Sequence, residues 1–171
     1  MKALKITGIV IVVLAIVFWS IGVIVPTFTY HSKVEVQAPI ELCWDVMMDE
    51  SQINEWLPTL VDSKTIEGEP LTVGSVHEMT FVEGSDTIVM LETVQEFQPP
   101  TTFEFIMENE VIWSYTAIRL EALGEKTVIH STNRVSGQSA FWKSLFAMMQ
   151  GTFEEKNLEN YMALKAVIER Q

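Results

Sequence analysis

Glu92 and Arg119 are the two residues whose types and spacing suit them to hold a reacting group or the polar end of a bound molecule. Strand alternation puts Glu92 on one side with Ile88, Met90 and Val94, and Arg119 on one side with Trp113, Tyr115 and Ala117. If both sets turn inward, an acid and a base lie among aromatic and methionine side chains. A buried carboxylate without a partner is costly, and in that arrangement Arg119 would supply one for Glu92. The alternative is that these are surface charges on an outer face. Acid–base catalysis would need a proton donor or acceptor within hydrogen-bond reach of a substrate, and Glu78, Glu92, His130 and Tyr115 are the candidates.

Metal chemistry is not expected. His31, His77 and His130 have no paired spacing, Cys43 is the sole cysteine, and no cofactor is implied. The remaining inward candidates are apolar. His77, Met79 and Phe81 share one strand face, and Phe103, Phe105 and Met107 face opposite to Glu104 and Glu108. The expected lining of an interior site is therefore Met79, Phe81, Met90, Phe103, Phe105, Met107, Trp113 and Tyr115, joined by Phe146 and Met149 from a helix. Glu92, Arg119 and His130 are its expected polar anchors.

The elements that must position these residues can be read from period and punctuation. Val34 and Val36 alternate with Glu35 and Gln37, a short strand starting near Lys33. Pro39 suits the first turn of a helix over 40–48, and Ser51 the cap of a second over 51–56. Turn residues then divide the chain into six strands, near 62–67, 75–82, 87–97, 102–107, 112–122 and 127–135. The connections are too short for crossovers, which predicts an antiparallel sheet. From Ser139 to Arg170 the apolar residues Trp142, Phe146, Met149, Phe153, Tyr161, Leu164 and Ile168 recur at mostly three- and four-residue steps. They predict one helix of about 45 Å, with a kink at Gly151. Its opening, Phe141 to Met149, is apolar around nearly the whole circumference. One packed face cannot hide all of it, so the surplus suits a pocket wall or a membrane interface.

Ahead of these elements, residues 6–25 carry no charge. As a helix, twenty residues rise about 30 Å, the thickness of a bilayer's hydrocarbon core. The expected organisation is an uncleaved single-pass anchor over 1–26, a linker over 27–32 and one domain over 33–171. A cleaved signal peptide is the alternative, although Ser20-Ile21-Gly22 makes a poor cleavage site. Lys2 and Lys5 before the run favour a cytoplasmic amino terminus, with the domain on the periplasmic or extracellular side. The chain has 11 basic and 23 acidic residues and a formal net charge of -12. Such a surface repels phosphate backbones, so nucleic-acid binding is excluded.

Strand, two short helices, six strands and a carboxy-terminal helix is the order of the helix-grip fold, an α+β architecture. Ala38-Pro39-Ile40-Glu41, Trp44-Asp45-Val46, Asn54-Glu55-Trp56-Leu57-Pro58 and Val73-Gly74-Ser75 resemble the opening of the SRPBCC or START-like superfamily. Val94 to Pro100 with Phe103 and Phe105 is similar to its central hairpin, and Leu158, Leu164-Lys165 and Glu169 to the end of its last helix. The resemblance implies a curved seven-stranded sheet gripping the long helix around an apolar cavity. It also implies a hydrophobic or amphipathic ligand, lipid-, quinone- or polyketide-like. A polyketide cyclase or dehydratase-like enzyme and a regulatory domain with a filled interior remain as alternatives.

Overall fold

The structure is a computed structural model. It describes residues 2–171, with side chains from Lys5 onward; Met1 and the side chain of Lys2, part of the charge pattern ahead of the apolar run, lie outside the described residues. The elements are α1 (Lys2–Ile24), β1 (Phe28–Val36), α2 (Ile40–Met48), α3 (Ile53–Trp56), β2 (Leu60–Glu67), β3 (Val76–Glu83), β4 (Asp86–Gln98), β5 (Thr102–Glu108), β6 (Ile112–Leu123), β7 (Lys126–Gly137), α4 (Ala140–Met148) and α5 (Gln150–Ile168).

All seven strands form one curved antiparallel sheet in the order β1-β7-β6-β5-β4-β3-β2. Consecutive hairpins build most of it. Gly84 and Gly124 supply the left-handed backbone (φ 64° and 68°) that two-residue turns require at their first position. β1 is the exception, added at the far edge beside β7, with Phe28 opposite Val135 and Val36 opposite Thr127.

Two expectations are corrected. Residues 28–32, expected as linker, are strand, because the period of two runs back through Ser32, Tyr30 and Phe28, all buried. Phe28 and Tyr30 therefore pack in the domain. The carboxy-terminal helix is also two helices, interrupted at Met149 (φ -96°, ψ 7°) and not at Gly151. The break lets both sides turn an aromatic ring to the same place: Phe146 of α4 and Phe153 of α5 lie 5.5 Å apart.

The 19 residues of α5 rise about 28 Å and lie across one face of the sheet. Tyr161, Leu164 and Ile168 join Trp44 and Met47 of α2 and Val94, Phe103, Ile118 and Ile129 of the sheet in the main core. Asn157 Nδ2 donates to Ser32 Oγ (2.8 Å) and Lys165 Nζ to the Glu35 carbonyl (2.7 Å), pinning α5 to β1. A second, smaller cluster joins Phe28, Tyr30, Val135 and Phe146 with Trp142 and Phe153. The last turn of α1 rests on α4, where Gly22 N–H meets Ser144 Oγ at 3.1 Å and Phe18 lies 5.6 Å from Phe141.

Candidate functional site

Between the two clusters the sheet and α5 do not close, and a half-open cleft of about 290 Å³ remains. Its walls come from the inner face of β3 to β7 and from one side of α5. Phe81, Ile88, Met90 and Met107 give the apolar floor; Thr116 and Asn133 give a polar strip; Phe153, Lys156 and Asn160 form the rim on α5. Thr116 Oγ1 donates to Asn133 Oδ1 (2.9 Å), and Asn133 Nδ2 donates to Ser131 Oγ (2.7 Å). This strip is therefore satisfied within the protein, and hydrogen-bonded polar groups can line an apolar site at little cost. At the rim, Lys156 Nζ stands 3.9 Å from Glu83.

Glu92 is the exception to that satisfaction. It lies on the inner face of β4, two residues beyond Met90, opposite His77 on one neighbour and Met107 on the other. Only 7% of the residue is exposed. Among the described residues its carboxyl has neither a hydrogen bond nor an ion pair. Burial disfavours the ionised form and pushes its pKa up to about 7. His77 opposite is held by two hydroxyls, Thr65 Oγ1 at Nδ1 and Ser75 Oγ at Nε2, each at 3.1 Å. Burial pulls its pKa below the usual histidine range, against the opposing influence of Glu50.

The expected site residues divide three ways. Phe81, Met90 and Met107 line the cleft. Met79 is buried nearby, its sulfur accepting from Ser63 Oγ, and Phe103 and Phe105 pack with tilted rings 4.9 Å apart at the main core, where they fill space. Phe146 packs behind Phe153 in the smaller cluster, and Met149 sits at the helix break, partly exposed.

Trp113, Tyr115, Arg119 and His130 are corrections, since all four lie on the outer face of the sheet. Register shows why: Glu104 stands opposite Ala117, so residues of that parity in β6 turn away from α5, and Ser114, Thr116, Ile118 and Leu120 turn toward it. Arg119 Nη2 bonds Glu104 Oε1 at 2.8 Å, Tyr115 hydroxyl donates to the same carboxylate, and His130 faces Glu121 at 3.4 Å. Arg119 is thus a surface partner of Glu104 and does not reach Glu92. Glu78 is likewise exposed on the outer face. Thr116, Asn133 and Asn160 are absent from the sequence-based expectation; for Thr116 the reason is that β6 is apolar on both faces, and the alternation of Thr127, Ile129, Ser131, Asn133 and Val135 in β7, paired to β6, carries the signal for both Thr116 and Asn133. Among the described residues no group of three or more His, Cys, Asp or Glu is placed to hold a metal ion.

Comparison with known proteins gives a consistent result. Residues 27–169 match the family described as Polyketide cyclase / dehydrase and lipid transport. Among solved structures, the Zhui aromatase/cyclase from Streptomyces sp. R1128 superposes with a TM-score of 0.69 at 14% identity, covering 84% of this chain and 94% of that one. Ara h 8.0201 gives 0.63 at 14% identity, covering 85% and 99%. A conserved protein from Geobacillus kaustophilus gives 0.68 at 12% identity, covering 84% and 96%. At such identities the likeness is one of fold. No curated protein matches the sequence.

Proposed function

The chain belongs to the Polyketide cyclase / dehydrase and lipid transport family, and from that premise we propose that it is a membrane-tethered binding module for a hydrophobic or amphipathic small molecule. The observation that carries this reading is an apolar cleft with one unpartnered, buried carboxyl just beyond its floor. A protonated Glu92 donates a hydrogen bond, so it orients a carbonyl or hydroxyl oxygen of the ligand. Methionine flanks it on two strands, and flexible thioethers adapt to irregular apolar shapes. The volume is at the low end of the ~300–1,000 Å³ usual for ligand sites, which suits part of an elongated molecule with its remainder leaving by the mouth. Lys156 and Asn160 at the rim suit a polar or anionic end.

α1 is long and apolar enough to cross a membrane. As an anchor it holds the cleft beside lipid and raises the local concentration of lipid-like ligands without further contacts. The lysines before it favour a cytoplasmic amino terminus, with the domain on the periplasmic or extracellular side.

A second reading has one specific observation in its favour. A carboxyl with a pKa of about 7 opposite a buried histidine suits proton transfer near neutrality, so a cyclase- or dehydratase-like activity would use Glu92 as its acid or base. Native mass spectrometry of the full chain, extracted from its own membrane in mild detergent, tests the first reading. A bound lipid-range mass is expected, and it is expected to be lost in Met90→Trp, which fills the cleft. An empty wild-type protein, or retention in Met90→Trp, would overturn the assignment.

A further inference from the structure

We propose that α4 is itself immersed in the outer boundary of the bilayer and presents Phe141, Leu145 and Met148 to lipid, so that the domain is seated in the membrane and not merely tethered to it. The inference rests on the reading of α1 as a spanning helix and follows from where α4 touches it. The uncharged run from Ile6 to Val25 rises about 30 Å, with no length to spare against a hydrocarbon core of the same thickness. Phe18 lies seven residues before Val25, about 10 Å along the axis, and Gly22 about 5 Å. Yet Phe18 packs against Phe141 with ring centroids 5.6 Å apart, and Gly22 N–H meets Ser144 Oγ at 3.1 Å. The Ala140–Ser144 turn therefore sits roughly 5–10 Å below the level of Val25 when α1 spans.

Raising α1 until α4 cleared the lipid would shorten the span to Ile6–Phe18, about 20 Å, far short of the core. It would also place Val23 and Ile24, each 77% exposed, in water. The contact surface itself has the character of helix packing inside membranes. Gly22 meets Ala140 and Ser144, small residues four apart, which let the two backbones approach closely. On the side of α4 away from the domain, Phe141, Leu145 and Met148 follow at i, i+4 and i+7; Phe141 is 44% and Met148 63% exposed. Lys143 is the one charged residue of α4, and its stem is long enough to carry the ammonium out to the headgroups. Trp142 stacks on Phe146, and Phe146 meets Phe153 edge to face; this chain of rings connects the immersed helix to the cleft wall, placing the mouth at the lipid boundary.

Site-directed spin labelling of the full chain in phosphatidylcholine vesicles tests this. Labels are placed at Met148→Cys on α4, Val12→Cys in the middle of α1 and Glu125→Cys on the β6–β7 turn; Cys43 is buried and stays unlabelled in the folded protein. Collisions with oxygen report lipid, and collisions with a water-soluble nickel chelate report water. Met148→Cys is expected to favour oxygen over nickel several-fold relative to Glu125→Cys, at a depth shallower than Val12→Cys. A lipid-exposed Val12→Cys with a water-exposed Met148→Cys would overturn the immersion of α4 while leaving the span intact. Water exposure at Val12→Cys would overturn both. Shielding of Met148→Cys from both reagents would mean that a second copy covers the stripe, and would also overturn the proposal.

Discussion

Glu92 is a carboxyl whose ionisation the fold opposes, and that opposition has a measurable sign. Its pKa rises from the ordinary 4.5 to about 7 because burial removes water and nothing charged replaces it. Between those values the native state binds a proton that the unfolded chain has released, so stability falls as pH rises. The contribution is fully present below about pH 4.5, is lost as pH rises through about 7, and changes no further above it. A shift of this size corresponds to roughly 3 kcal/mol. Glu92→Gln keeps the shape and cannot ionise. Urea denaturation from pH 4 to 8 is therefore expected to show the variant gaining on the wild type, reaching an advantage of roughly 2–3 kcal/mol at pH 8. His77 acts in the opposite sense, its own stabilisation lost as pH falls, so the Glu92 effect is read toward pH 8, where His77 is neutral in both the native and the unfolded protein. Parallel curves would show that Glu92 has found a counter-charge and is no neutral donor.

Gly22 is the hinge of element packing between α1 and α4. A Cβ added there would lie 2.5 Å from Ser144 Oγ and 2.9 Å from the Ala140 carbonyl, closer than real contacts allow. Since one of those atoms is backbone, Gly22→Val must push the helices apart. Ser136 Oγ also bonds the Pro26 carbonyl at 2.8 Å, so the junction should loosen with them. Limited proteolysis of Gly22→Val in micelles is expected to cut near residues 25–27 several-fold faster than wild type, while the thermal transition of the sheet shifts little. An unchanged cleavage rate would mean that the helices do not pack this way in solution. The same scale explains what was legible in the sequence. Turn residues such as Gly84, Pro99-Pro100 and Gly124 mark the strand ends from β2 to β7, and the parity of β3 and β5 is legible because Glu78, Glu104 and Glu108 mark one face. β6 is apolar on both faces and offers no such mark, so its pattern alone does not tell that Tyr115 and Arg119 turn outward, which the register with β5 does. The pairing of α1 with α4 was invisible for a different reason: it joins residues 122 positions apart through a glycine and a serine, which carry no periodic signal.

At the scale of the whole molecule, the question is whether α1 belongs to the fold or only to its placement. Both core clusters draw every member from residue 28 onward, so residues 27–171 close their own interior. Removing α1 uncovers the Ala140–Ser144 face beside the already exposed Phe141 and Met148, and the bare α4 becomes a continuous apolar surface. Residues 27–171 expressed alone are thus expected to unfold cooperatively, with a circular dichroism melt within a few degrees of the full chain. They are also expected to elute from size exclusion as more than a monomer, despite the acidic surface. Phe141→Asp with Met148→Asp should restore the monomer without lowering the melt, because neither side chain is part of a core cluster. A shortened chain that stays monomeric without these replacements would show that the α4 surface is not adhesive. One that fails to fold would make α1 a structural member of the domain, and the reading of an independently closed core would be wrong.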